Sequence, residues 1–141
     1  MGMSRGIILP VIVSILILGT FGISQDAYAV PQIISSDNIQ TNDIVLTSVD
    51  GFIIDGDITI TSTAGDVTFN GAIDASGTGG SLTINTPTGI ATFNGAIGGA
   101  NPLNSLTIAS SNNVVLGSLN VQSLNVNSGG SITQTASITV V

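Results

Sequence analysis

Apolar residues recur two apart along most of the chain, with a polar residue between them. Ile58 and Ile60, Leu82 and Ile84, and Leu106 and Ile108 each flank a Thr, and Val67/Phe69 and Ala91/Phe93 repeat the arrangement. Period-two alternation in β-branched and aromatic residues, bounded by Gly and Asn, predicts β-strands. After residue 30 there is no sustained i, i+3, i+4, i+7 stripe, and no Glu, Lys, Arg or Met. The predicted strands are about 3–5 residues long, too short to stand as independent hairpins.

The strands belong to a repeat. Residues 66–89 (DVTFNGAIDASGTGGSLTINTPTG) and 90–113 (IATFNGAIGGANPLNSLTIASSNN) agree at ten of 24 positions without a gap, in the blocks TFNGAI and SLTI. A fainter copy precedes them, with Asp57-Ile58-Thr59-Ile60 lying one full period before Ser81-Leu82-Thr83-Ile84. A propeller blade needs about 40–50 residues, so this unit is too short for one. At roughly 3.3 Å per residue, a 24-residue coil has a contour of about 80 Å, enough for two or three short strands and tight corners. Stacking such coils about 4.8 Å apart sets Phe69 beside Phe93 and Ile84 beside Ile108. The expected fold is therefore all-β, a single-stranded parallel β-helix (β-solenoid) with coils of about 24 residues.

Residues 1–29 lie outside that pattern. Arg5, the apolar run Ile7–Ile23 and the small-x-small sequence Ala27-Tyr28-Ala29 have the layout of a secretory signal peptide. The alternative is an uncleaved membrane anchor, since a 17-residue apolar run is borderline for spanning a bilayer. Residues 30–42 read as a lead-in, either a cap over the open sheet edge or a flexible linker, and residues 43–141 as the β-solenoid. Leu46 stands one position closer to Phe69 than the period requires, which puts a slip in the Asp50–Gly56 corner. After Asn113 the register loosens. Val114 is likewise one position early relative to Ala91, and the unit Ser-Leu-x-aliphatic recurs at 118 and 123. Gly129-Gly130-Ser131-Ile132 is similar to Gly79-Gly80-Ser81-Leu82. The alternating end Ser137–Val141 has no stop signal and suggests truncation in mid-coil.

Charge narrows the chemistry. Arg5 is the only basic residue, all eight acids are Asp, and Ala75 to Val141 carries no charged side chain. A like charge repeated on every rung would repel itself, which disfavours charged ladders. Nucleic acid is not expected as a partner, because nothing could neutralise phosphates. Without Cys, stability must come from the stacked core.

The units TFNGAI-x(7)-SLTI and GGSITQTASITVV resemble the repeats of large exported β-solenoid proteins, those similar to filamentous haemagglutinin and other β-strand-repeat surface adhesins. The resemblance covers residues 43–141, the greater part of the chain. It implies a secreted or cell-surface fibre whose partners are cell-surface glycans or further copies joined end to end. The family's Asn-Pro-Asn-Gly secretion motif is absent. Membrane contact is expected only through an uncleaved signal segment.

Catalysis near neutral pH would have to work without His, Cys, Lys or Glu, and a Ser nucleophile would lack its base. No catalytic residue and no cofactor is expected. The rival is a carbohydrate-active β-helix enzyme using clustered Asp, which acids gathered on one exposed face would favour. A third reading is a small glycan-binding module, with Asn70 and Asn94 as contacts; the simpler account of that pair is a corner ladder of amides. For Ca²⁺, Asp50, Asp55 and Asp57 are the candidate oxygen ligands in a Gly-rich loop, although Asp beside Gly is also ordinary turn chemistry.

Overall fold

The computed structural model describes residues 30–141; the expected signal peptide and its cleavage site lie outside them. The described chain contains eleven strands and no helix, all paired in parallel, in a β-solenoid of about 5 turns. In chain order they are β1 (Gln32–Ile34), β2 (Asn38–Gln40), β3 (Ile44–Thr47), β4 (Phe52–Ser62), β5 (Val67–Asn70), β6 (Ile73–Phe93), β7 (Ser105–Leu116), β8 (Leu119–Val121), β9 (Leu124–Ser128), β10 (Ile132–Gln134) and β11 (Ile138–Val140). The longest strands exceed the length expected. β6 runs through 21 residues because strand pairing continues around two corners, where the bulged register keeps neighbouring coils bonded.

Three faces result. The first stacks β1, the start of β4, the start of β6, Ile97, β8 and β11. On the second lie β2, the rest of β4, the middle of β6, the start of β7, and β9. The third holds β3, β5, the end of β6, the end of β7, and β10. Inward residues form aliphatic columns such as Ile58–Leu82–Leu106–Leu124 and Ile60–Ile84–Ile108–Val126. Phe69 and Phe93 are 0 % and 2 % exposed. Their rings stack at 5.5 Å and 10°, and Phe52 meets Phe69 edge-on at 5.5 Å. A parallel sheet buried on one face and turned back on itself keeps its apolar residues in one continuous core.

Coil length is not constant. On the first face, Gln32 pairs with Phe52, Phe52 with Ile73, Ile73 with Ile97, Ile97 with Leu119 and Leu119 with Ile138. The steps therefore lengthen toward the Ile73–Ile97 pair and shorten again after it. On the third face the steps from Ile44 through Val67, Ala91 and Val114 to Ile132 are 23, 24, 23 and 18. The stack is widest in the middle and narrows toward both ends. The pairing of Leu46 with Phe69, one position short of the period, is present as expected. The slip near Asp50 is two compensating changes. The step falls to 21 at Phe52 and rises to 24 at Gly56, which is at φ +97° in a bulge. A left-handed backbone there admits Gly without strain.

The structure places two stretches that the repeat pattern missed or left open. Residues 30–42 contain β1 and β2, bonded in register to β4, so the first coil begins at Gln32 and not near Asp43. Ile132 stacks on Val114 on the third face rather than joining the column of Leu82, despite the shared Gly-Gly-Ser. The two Ser-Leu-x-aliphatic units at 118 and 123 are successive faces of one coil, turned at Gln122-Ser123.

Candidate functional site

Alternation sends every second strand residue outward, so the chemistry the chain offers to solvent lies on flat faces and at corners. On the second face Thr59, Thr83 and Thr107 stand in register, followed by Asn125, with Asp57, Ser81 and Ser105 in the column beside them. Across the third face run Val45, Thr68, Thr92, Val115 and Thr133. Hydroxyls therefore repeat at the rung spacing of about 4.8 Å on two faces. At the end of the third face the amides form a ladder. Asn94 Nδ2 donates to Asn70 Oδ1 at 2.7 Å, and Asn70 Nδ2 to Thr47 Oγ1 at 3.3 Å.

Four of the seven aspartates among the described residues are used between coils. Asp37 Oδ1 accepts from the backbone N–H of Thr59 at 2.7 Å, Asp43 Oδ1 from Asp66 at 2.9 Å, and Asp66 Oδ1 from Ile90 at 2.8 Å. Asp74 Oδ1 accepts two, from Ala100 at 2.8 Å and Asn101 at 3.0 Å. Each carboxylate clasps the next coil along the chain and satisfies a backbone donor that a corner takes out of the ladder. Where charge is absent an amide takes over: Asn113 Oδ1 accepts from Ser131 N at 2.8 Å and from its Oγ at 3.2 Å.

A second device lies inside, between the second and third faces. Ser62, Thr86 and Ser111 are buried polar residues in a core that is otherwise aliphatic and aromatic. Ser62 and Thr86 donate to carbonyls of the preceding coil, Asn42 at 2.8 Å and Gly65, whereas the Ser111 hydroxyl donates to the Asn113 carbonyl of its own coil at 2.5 Å, with the Gly89 carbonyl of the preceding coil 3.4 Å away. Ser128 extends the column by donating to Asn112 at 3.0 Å. Buried hydroxyls must be bonded, and here the bond is what ties one corner to the next. The sequence carried a trace of this, with Ser62 and Thr86 one period apart and each followed at the same distance by a Gly, but not the inward direction.

The Ca²⁺ candidates are arranged otherwise. Asp50 is half-buried at the corner between β3 and β4. Asp55 and Asp57 both lie in β4 and are exposed, but Gly56 and its bulge separate them and break the alternation that would point them one way. Among the described residues, no group of three or more acids is placed to hold a metal ion. No helix among the described residues is long and apolar enough to cross a membrane. No family model matches the chain, and no curated protein or solved structure does either.

Proposed function

We propose that this chain is a non-enzymatic structural segment of a secreted or cell-surface fibre, an adhesin or envelope component, in which the solenoid is the spacer and its outward faces are the contact surfaces. The observation that carries the reading is the use of the acids. Asp37, Asp43, Asp66 and Asp74 are engaged with backbone N–H groups of the next coil, so four of the seven aspartates among the described residues are spent on holding coils together. The faces left to solvent carry stretches of hydroxyl and amide ladder among a few apolar and acidic positions, suited to many weak contacts spread over a flat surface rather than one deep site. The expected signal peptide at residues 1–29 and the resemblance to exported β-solenoids supply the location. Partners on this reading are surface glycans or further copies stacked end to end.

The test is surface display. The full chain with a C-terminal epitope tag, expressed in its native cell, should yield tag that is released by protease from intact cells or found in the medium. The product should begin at Val30. Tag protected inside intact cells, on a product that keeps Met1, overturns the reading.

A further inference from the structure

The repeat places the dipeptide Asn-Gly twice at the same corner, at Asn70-Gly71 and Asn94-Gly95, and nowhere else in the chain. An Asn side chain followed by Gly is the arrangement most open to attack by its own backbone, because no Cβ shields the next nitrogen and Gly reaches the required torsions. At neither corner can the Gly be exchanged freely. A Cβ on Gly95 would collide with the Gly71 carbonyl oxygen, and one on Gly71 with the Ser48 carbonyl oxygen. Close rung stacking thus fixes a reactive dipeptide in place.

The two sites differ in protection. The Asn70 side chain is half-buried and held at both ends, donating to Thr47 Oγ1 at 3.3 Å and accepting from Asn94 Nδ2 at 2.7 Å. Asn94 is exposed and is the last amide of the ladder, with Gly117 rather than another Asn against that corner on the next rung. Only its Nδ2 is engaged among the described residues. We propose that Asn94-Gly95 is a site of spontaneous deamidation, which gives the uncharged stretch Ala75–Val141 a carboxylate.

The step balances with water alone. The Gly95 nitrogen loses its proton to solvent and bonds to Asn94 Cγ, and the side-chain nitrogen leaves as ammonia, closing a succinimide. Water then opens the ring at Cγ to give Asp, or at the main-chain carbonyl carbon to give the iso-linked residue. The first outcome removes the 2.7 Å donor to Asn70 and sets a carboxylate against its amide oxygen. The second also inserts a methylene into the main chain at a corner where rungs already touch. Either product weakens the clasp between two central coils and marks the age of the molecule with charge. The reaction does not depend on where the protein resides.

Ageing the purified full chain at 37 °C in mildly alkaline buffer, then digesting with pepsin and weighing the peptides, tests the proposal. Trypsin is of no use after Arg5, the only basic residue. Folded protein should convert Asn94 several-fold faster than Asn70, with aspartyl and iso-aspartyl products both present. In denaturant the two sites should convert at similar rates, since their neighbours are nearly identical. Equal rates at both sites in the folded chain, or an Asn94 that stays intact when folded yet reacts when unfolded, overturns it.

Discussion

The two ends of the solenoid are built differently. At the N-terminal end the inward positions of β1 and β2 include Gln32, Asn38 and Gln40, and Gln40 Nε2 donates to Asn38 Oδ1 at 3.2 Å. Gln32 and Asn38 stand in the columns of Phe52 and Ile60, and Gln40 stacks on Ser62. Its exposed aliphatics, Ile33, Ile39 and Val45, sit on the outward side instead. At the C-terminal end β10 and β11 point Ile132, Ile138 and Val140 onto the core residues Val114, Leu119 and Val121, and there they are 53 %, 37 % and 55 % exposed. The two outermost rungs thus differ in what they turn inward, polar side chains in one and aliphatic ones in the other. Burial in this fold is conferred by the next coil, so a residue's exposure depends on how many rungs cover it.

The sharpest way to break that comparison is in the middle, where both neighbours are present. Phe93→Ala should cost about 3–5 kcal/mol, as truncating a large core side chain does. Thr92→Ala beside it should cost under about 0.5 kcal/mol as a surface change. Denaturant melts of the two variants compare them, and equal losses would mean the inward assignment is wrong.

The open end gives the next effect. Unblocked strand edges template further strands, and neither β10 nor β11 carries Lys or Pro. Residues 30–141 are expected to form concentration-dependent oligomers or short fibres, and Ile138→Lys with Val140→Lys should keep them smaller. Light scattering over a dilution series reads the difference. A clean monomer at high micromolar concentration would show that the C-terminal edge needs no cover.

Smaller again are the clasps between coils. Asp66→Ala strands the Ile90 N–H and should cost about 1–3 kcal/mol, the usual penalty for a stranded donor. Asn113→Ala frees only exposed donors and should cost less than about 1 kcal/mol. The reverse order, measured by the same melts, would mean the charged clasps are incidental. The smallest effect is expected from Ca²⁺. A native-state ligand raises the melting temperature, and millimolar Ca²⁺ should leave it almost unchanged with Asp50, Asp55 and Asp57 arranged as they are. A rise of many degrees that Asp55→Asn abolishes would restore the metal site.

What the sequence revealed and what it hid follow from how a solenoid stores information. Inward residues must stack, so TFNGAI and SLTI marked the central columns directly, including Phe69 on Phe93 and Ile84 on Ile108. Corners are free to gain or lose residues. Where the step drops from 24 to 18 between Leu106 and Leu124, a search at fixed period loses the register, and the Gly-Gly-Ser likeness alone gives Ile132 no face. The first coil escaped for a related reason: Gln32 and Asn38 stand where a core pattern needs apolar residues. The acids were read by their neighbours in sequence, which singled out Asp50, Asp55 and Asp57 beside glycines. The partners of Asp37, Asp66 and Asp74 lie a full coil away, and no local pattern shows them.

The hydroxyl column of Ser62, Thr86, Ser111 and Ser128 has a mechanical consequence. The Ser62, Thr86 and Ser128 hydroxyls reach back to the coil before them, as the backbone bonds that join rungs do, so these bonds between coils lie along the stack axis. Tension along that axis loads the rungs in series, and a quasi-one-dimensional array yields at its weakest neighbour contact first. The expected response in a force spectrometer is peeling from the short C-terminal coils inward, one rung per step. Tension applied across the axis would load many rungs in parallel and meet far greater resistance. Such a filament is compliant along its length and stiff across it.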